Sequence, residues 1–378
     1  MLAAPAREVV LKLHERCNIA CDHCYMYEAA DQGWRVRPAR MSTATVTRTA
    51  QRLAEHALTH GLDTVRVVFH GGEPLLAGVA GLEQAILAFE EAAPPGVRME
   101  LAVQTNGTLL TEPFLALFRR HGVRVGVSLD GDRDANDRHR RHADGRSSYE
   151  KAVAGVERLR EPVNRAIYGG LLCTVDLAND PIGTYEALLA HRPPRIDFLL
   201  PHGNWVHPPP GLAPRAGTPY ADWLITIFDR WYATPAVETE IRILDSIMSL
   251  LLGGPAGTEM LGLGPPSAVV VESDGTLEGN DALKVTDDGA ATGLSVYTHA
   301  LDDLLVHPAI AAARRGLDGL GPQCRACPVV AVCGGGLHAH RYAAGGGFDH
   351  PSVYCDDLFA LITHVRSRLA ADLLALGA

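Results

Sequence analysis

The sequence predicts an α/β fold with a largely parallel sheet, and three observations carry that expectation. Between Glu8 and about Leu200, six short β-branched runs alternate with amphipathic helical patterns, the arrangement that lays helices against parallel strands. Apolar residues make up 47 %, charged residues 21 % and aromatics 6 %, which is ordinary globular usage and excludes a disordered, collagenous or coiled-coil chain. The 378 residues leave room for two to three domains at roughly 150 residues each.

The predicted strands are Val9–Leu13, Thr64–Phe69, Arg98–Val103, Gly122–Leu129, Ala166–Thr174 and Arg195–Leu200. Apolar periodicity near 3.6 places helices between them at Ala44–His60, Gly81–Glu91, Pro113–His121, Tyr149–Arg160 and Pro181–His191. Six such units fit either a doubly wound sheet or a partial barrel, and in both the chemistry collects at the carboxyl ends of the strands. Residues 201–217, rich in Pro, Gly and His, break the pattern as a linker or a substrate-facing loop. Helical stretches follow at Tyr220–Tyr232 and Thr239–Leu252. A hairpin signal then centres on Asp274-Gly275, and the chain closes on an apolar helix from about Asp356 to Leu376. The expected boundaries are therefore a core over 1–200, a linker and helical bridge over 201–264, and a C-terminal domain over 265–378.

A net charge of −10 without a basic stripe excludes a nucleic-acid binder. Nearly all the positive charge is arginine, with Lys12, Lys151 and Lys284 the only lysines; composition alone assigns that bias no function. No N-terminal charged segment leads into an apolar one, and no window reaches the roughly eighteen apolar residues of a membrane span. The expectation is a cytoplasmic protein without a membrane partner. In that compartment thiols stay reduced, and grouped cysteines hold metal more often than they form disulfides.

Seven of the eight cysteines fall into two groups. Cys17, Cys21 and Cys24 form CxxxCxxC directly after the first strand. Three thiolates on one loop suit a cubane iron-sulfur cluster with one iron left open, whereas a structural zinc ion wants a fourth protein ligand, for which His14 and His23 are the candidates. Cys324, Cys327, Cys333 and Cys355 form the second group, CxxCx5C and then a gap of 21 residues before the last cysteine. Four thiolates close a site, and their chemistry fits a zinc ribbon or a fully ligated cluster equally well. Cys173, in an apolar run, reads as a buried strand residue.

The first group, followed by Tyr25, resembles the cluster loop of the radical S-adenosylmethionine (radical SAM) superfamily. The resemblance extends to His70-Gly71-Gly72-Glu73-Pro74 after the second strand, Gln104-Thr105-Asn106-Gly107 after the third and Ser128-Leu129-Asp130-Gly131 after the fourth. It implies a partial (β/α)6 TIM-like barrel and a SAM site. Tyr25, Gly71, Gly72, Glu73, Thr105, Asn106, Ser128 and Asp130 would belong to that site, Glu73 facing the methionyl ammonium. Arg140, twelve positions after Ser128, resembles the arginine that pairs with the SAM carboxylate, while the rest of 133–146 reads as a solvated loop.

The second group resembles the SPASM domain of peptide-modifying radical SAM enzymes, which tips its ligand toward a 4Fe-4S cluster. No cysteine occurs between Cys173 and Cys324, and Leu337 stands four positions after Cys333. The resemblance therefore implies one auxiliary cluster in place of the two of a full SPASM domain. In ESDGTLEGND, Asn280 takes the place of an expected cysteine. Asp281 falls where sulfatase-maturing relatives keep an acid/base carboxylate, with a turn aspartate as the plain reading.

Three runs, residues 17–34, 126–153 and 197–210, resemble the FxsB-type maturases that make three-residue cyclophanes in ribosomal peptides. That resemblance implies radical SAM oxidoreductase chemistry joining a β-carbon to an aromatic ring of a precursor peptide. Asp281 would act as proton acceptor, the auxiliary cluster as electron acceptor, and a flavodoxin or ferredoxin as electron donor. Thioether formation, formylglycine formation and a non-catalytic zinc or iron-sulfur interaction protein are the alternatives. With the cysteine loop sixteen residues from the first residue, the sequence offers no N-terminal recognition domain, so the peptide is expected to meet the barrel mouth, the 201–217 segment, the C-terminal domain or a separate protein.

Overall fold

The computed structural model describes residues 4–212, 217–286 and 289–376, so part of the 201–217 segment lies outside the described residues. The chain divides into two compact units. The first comprises residues 1–129, 136–171 and 267–312, and the second residues 130–135, 172–266 and 313–378.

The strands of the first unit are β1 (Glu8–His14), β2 (Thr64–Gly71), β3 (Arg98–Thr105) and β4 (Arg124–Ser128), with β5 (Tyr168–Thr174) starting in it and β6 (Arg195–Leu199) following in the second unit. Their helices are α1 (Thr43–His60), α2 (Gly78–Ala92), α3 (Glu112–His121), α4 (Tyr149–Arg160) and α5 (Pro181–Leu189), each within three residues of expectation at either end. β1 pairs in parallel with β2, β2 with β3 and β3 with β4, so their carboxyl ends open on one side. Local chemistry sets the helix ends. Ser42 accepts from Thr45 N at 3.1 Å to start α1, and Gly61, at φ 59°, ends it in the left-handed conformation. Val9, Leu11, Val67, Phe69, Ile86 and Phe89 are fully buried between sheet and helices.

The hairpin around Asp274-Gly275 forms as expected from β7 (Ala268–Val271) and β8 (Thr276–Glu278), with β9 (Leu294–Ser295) paired to β8. Asp274 Oδ1 accepts from Thr276 N at 2.9 Å, and Gly275 takes φ 89°. Its place differs from the 265–378 expectation. β7 adds in parallel to β1, Glu8 to Leu11 lying against Ala268 to Val271, so this segment extends the first unit's sheet. Burial is the physical reason: Val269, Val270 and Val271 need a covered neighbour, and the free edge of β1 supplies it. The stretch 133–146 also departs from a solvated loop. Arg133–His139 is helical, and Arg140–Arg141 pairs with Ala20–Cys21.

In the second unit β6 pairs in parallel with Glu240–Ile241, and helices α6 (Pro219–Tyr232), α7 (Arg242–Leu251) and α9 (Cys355–Leu376) pack together. The short α8 (Leu301–Leu305) belongs to the first unit. Cys173 is buried in β5, as expected. Residues 201–212 are pinned to the C-terminal segment, Tyr354 donating to Pro201 O at 2.6 Å and Trp205 Nε1 to Pro351 O at 2.8 Å. No described helix is long and apolar enough to cross a membrane.

Asp357 joins the helices of this unit. Its Oδ1 accepts from Tyr220 N at 2.8 Å and Ala221 N at 3.0 Å, satisfying two amides at the start of α6 from the first turn of α9. Asp357→Ala is expected to lower stability by about 1–3 kcal/mol, measured by chemical denaturation, because it strands two buried donors.

Candidate active site

The loop after β1 carries Cys17, Cys21 and Cys24, all half-buried and unbridged. It is riveted to the end of β3. Asn106 Nδ2 donates to Asn18 Oδ1 at 2.9 Å and reaches Cys17 Sγ at 3.6 Å, Asn18 Nδ2 donates to Thr108 Oγ1 at 2.8 Å, and Thr108 Oγ1 returns to Asn106 Oδ1 at 2.7 Å. On the other flank Cys21 lies opposite Arg140 in the antiparallel ladder, and Arg140 Nη1 is 4.0 Å from Cys21 Sγ. The structure thus brings Arg140 to the cysteine loop.

Donors surround the sulfurs. Backbone N–H groups of Ile19 face Cys17, and those of Met26 and Tyr27 face Cys24. Burial pushes the Cys17 thiol up to about 12, so a thiolate exists there only beside a cation. Among the described residues, no trio of potential ligands that includes a cysteine has its atoms within 4.8 Å of one another. Three thiolates from one loop leave a tetrahedral zinc ion one protein ligand short, whereas they suit three irons of a cubane cluster with the fourth left open. His14, one candidate fourth ligand, has its Nδ1 on the Arg16 amide at 3.2 Å, and the His23 ring packs 5.0 Å from His139.

The second group repeats the logic. Cys324, Cys327, Cys333 and Cys355 line one cavity of about 290 Å³ in the second unit, together with Val329, Val330 and Phe359. Cys355 opens α9 and Cys333 ends a one-turn helix. Gly334 follows at φ 64°, where a Cβ would stand 1.8 Å from Gly262 O. Burial raises the Cys333 thiol to about 12. Four thiols around one apolar cavity suit a closed cluster.

Glu73 is fully buried at the end of β2. Its Oε1 accepts from Leu75 N at 2.9 Å and Thr105 Oγ1 at 2.7 Å, and its Oε2 from Asn106 N at 2.8 Å. Burial lifts it to about 7 against the pull of those donors. A carboxylate oxygen takes two donors, so one position remains on Oε2 for an ammonium. Gly71 and Gly72 answer first to packing: a Cβ would lie 2.2 Å from His14 O at Gly71, with φ 138°, and 1.9 Å from the Tyr27 hydroxyl at Gly72. Ser128 accepts from Gln104 Nε2 at 2.9 Å. Asp130 Oδ1 accepts from Thr174 N at 2.9 Å.

Asp281 opens a short 3-10 helix capped by Asn280, whose side chain accepts from Ala282 N at 2.8 Å. Its Oδ2 accepts from the Lys12 ammonium and from the Tyr25 hydroxyl, the latter at 3.2 Å, so Tyr25 ties the cysteine loop to Asp281. Lys12 and Lys284 hold Asp281 below the usual carboxylate range against the cost of burial. Its Oδ1 is buried without a hydrogen-bond partner. Lys12 also donates to His70 Nδ1 at 3.1 Å, which makes His70 the Nε2–H tautomer; burial and the Lys12 charge hold it neutral, down at about 3.

Behind Asp281 stands a buried charge network. Lys284 Nζ bonds Glu272 at 2.7 Å and Glu278 at 2.8 Å, and Arg37 bonds Glu278 at 2.5 Å and Glu272 at 3.3 Å. Glu15 meets Glu272 carboxylate to carboxylate, and burial with that neighbouring charge pushes Glu15 up to about 8. A proton on Glu15 leaves Asp281, Glu272 and Glu278 facing Lys12, Lys284 and Arg37, with the more exposed Asp274 at 3.8 Å from Arg37. Lys12, Lys284, Glu15, Arg37, Glu272 and Glu278 are members that residue patterns did not single out. The signal was present: two of only three lysines sit here, one of them in the apolar strand EVVLKLH.

Residues 11–172 match the family model of the radical SAM superfamily. The serine-type anaerobic sulfatase-maturating enzyme of Klebsiella pneumoniae is 26 % identical over 338 residues, 87 % of this chain and 80 % of the relative. The cysteine-type enzyme of Clostridium novyi (strain NT) is 23 % identical over 266 residues, 69 % of each. Among solved structures, native anSMEcpe with bound AdoMet shares the fold at TM-score 0.82 and 20 % identity, over 96 % of this chain and 98 % of that one. Streptococcus suis SuiB bound to precursor peptide SuiA aligns at TM-score 0.59 and 12 % identity, over 94 % and 76 %. The fold is therefore the radical SAM α/β fold.

Two outcomes follow from the charges. Lys12→Met leaves Asp281 without its cation; stability is expected to fall by about 3–5 kcal/mol in chemical denaturation, the cost of breaking a buried pair from one side. Glu15, ordinarily near 4.5, takes up a proton on folding between that value and about 8, so its contribution falls as pH rises through this window. Glu15→Gln should therefore gain stability relative to wild type from about pH 5 to about pH 8, and parallel denaturation curves would contradict the shared proton.

Proposed function

We propose that this chain, whose residues 11–172 match the radical SAM superfamily model, is a radical SAM enzyme that removes two electrons and two hydrogens from a ribosomal peptide, beginning at a side-chain β-carbon. One observation carries this reading. A carboxylate, Asp281, is held ionised by Lys12 and turned by Tyr25, the neighbour of Cys24, while its Oδ1 keeps an open acceptor position. An ionised carboxylate with an unfilled acceptor position can receive a proton from a neighbouring acid stronger than itself.

Cys17, Cys21 and Cys24 would hold the open 4Fe-4S cluster, and Cys324, Cys327, Cys333 and Cys355 one auxiliary 4Fe-4S cluster. The remaining position on Glu73 Oε2 suits the ammonium of S-adenosylmethionine and the Arg140 fork its carboxylate. When bound, these groups supply a 5′-deoxyadenosyl radical and an electron acceptor, with a flavodoxin or ferredoxin as the source of reducing electrons. The protein's own part is to position and to move a proton. Lys12 keeps Asp281 charged through the working range, Tyr25 occupies Oδ2, and Oδ1 takes the proton that substrate oxidation releases.

The finer reading is a cyclophane crosslink. The β-carbon loses a hydrogen atom and bonds to an aromatic ring carbon, and the ring recovers aromaticity by giving one proton to Asp281 and one electron to the acceptor. The likeness of residues 17–34, 126–153 and 197–210 to FxsB-type maturases supports it, as does Asn280, a helix cap where the SPASM resemblance expects a cysteine. Formylglycine formation is the second reading, favoured by the sulfatase-maturating relatives that align with 87 % of this chain.

Co-expression with the short peptide encoded beside the gene separates these readings. A cyclophane loses two hydrogens, resists fragmentation across the bridged residues and ignores aminooxy reagents, whereas a formylglycine is captured by them. In protein carrying about eight irons per chain, Asp281→Asn is expected to cut product formation about a hundredfold while deoxyadenosine release persists. An unchanged product rate and pH profile would remove Asp281 from the reaction.

A further inference from the structure

Three side chains of the first unit, remote in sequence from every residue assigned above, converge at the end of α1. His56 and His60, one helical turn apart, present their rings on one face with centroids 4.4 Å apart. Asp302, in the first turn of α8, meets both: His56 Nδ1 is 3.2 Å from Oδ2, and His60 Nε2 is 2.6 Å from Oδ1. All three ligand atoms lie within 4.8 Å of one another. Two nitrogens and a carboxylate around a small ion sit about 3.3 Å apart in a tetrahedral site; the His56 contact at 3.2 Å matches that spacing, and the His60 contact at 2.6 Å is a hydrogen bond that an ion would replace by drawing the pair slightly apart.

The orientation of His56 points beyond a plain ion pair. Its Nε2 lies 3.2 Å from the carbonyl oxygen of Ala6, which only accepts, so Nε2 carries the proton. In the neutral ring Nδ1 then bears a lone pair, and that lone pair faces a carboxylate oxygen. Two acceptors confront each other at a buried position, since the His56 side chain is 1 % exposed. Something positive belongs between them. An imidazole whose far N–H is held by a backbone carbonyl is the arrangement that metal-bound histidines use to fix tautomer and ring plane. Asp302 is partly open to solvent, which leaves a fourth position for water.

We propose that His56 Nδ1, His60 Nε2 and the Asp302 carboxylate form a binding site for one divalent transition-metal ion, with zinc the best match to a two-imidazole, one-carboxylate donor set. The ion joins α1, α8 and the residues leading into β1, and its role is structural. It is independent of the cysteine groups and of the proposed peptide chemistry.

The test uses the full chain with its iron-sulfur clusters loaded, so that the cysteines are occupied. After chelator treatment and equilibration with zinc sulfate, elemental analysis is expected to find about one zinc per chain and a raised melting temperature. His60→Ala and Asp302→Asn should each abolish both effects, with iron content and deoxyadenosine release at wild-type levels. His60→Cys, which restores a zinc ligand, should recover binding. Wild-type protein that takes up no zinc would overturn the proposal and leave a proton as the bridging charge. Zinc retained equally by His60→Ala and Asp302→Asn would overturn it as well, placing the metal elsewhere. If one variant fails to fold, the other and the wild-type stoichiometry still decide.

Discussion

The pairing of Lys12 with Asp281 is the contact on which the rest of the site depends. Lys12 is fully buried on a central strand, and a buried ammonium is sustained only by a carboxylate within reach. The chain brings that carboxylate from 269 residues away, by adding β7 to the open edge of β1 and turning back through β8. The surrounding ions follow from the same constraint. Glu272 and Glu278 share Lys284 and Arg37, and Glu15 keeps a proton beside Glu272. Such a network adds little net stability, because each ion gives up its hydration, and its contacts to Lys12 and Tyr25 hold Asp281 Oδ2 in place.

A second constraint shapes the cysteine loop. Three thiolates on a short segment repel one another unless a cation joins them, so the loop needs scaffolding that does not depend on the sulfurs. The Asn18, Asn106 and Thr108 triangle supplies it on one side and the Arg140 ladder on the other. Glu73 clamps the neighbouring strand ends through Thr105 and Asn106 while keeping one acceptor position open. The paired glycines let backbone approach backbone where any side chain would collide with His14 or Tyr27. Packing and ligand access are thus served by the same residues.

Much of this was legible in the residues themselves. Strands and helices of the first 200 residues fall close to their periodic patterns, and both cysteine groups gather at one site each, the second around a single cavity. Asp281 was visible as a candidate, yet its ion pair was not, since nothing in a one-dimensional pattern links a lysine in EVVLKLH to an aspartate 269 residues on. The hairpin was recognised from Asp274-Gly275 and assigned to the wrong neighbour. Turn chemistry is local, whereas the choice of sheet edge depends on which strand has an uncovered side. Asp130 stands at the strand end where its motif places it, and its hydrogen bond to Thr174 N is a contact no local pattern announced.

The sequence by itself narrowed the metal groups the two cysteine sets can hold, because the number and spacing of thiols limits how many ligands each set supplies. It determined the order of strands and helices as well, because side-chain periodicity is a property of each segment alone. Tertiary structure decided what the charges do. It chose the partner of Lys12, the proton on Glu15, the tautomers of His70 and His56, and the segment that completes the edge of β1. Electrostatic energies depend on distance and burial, which only the folded chain defines.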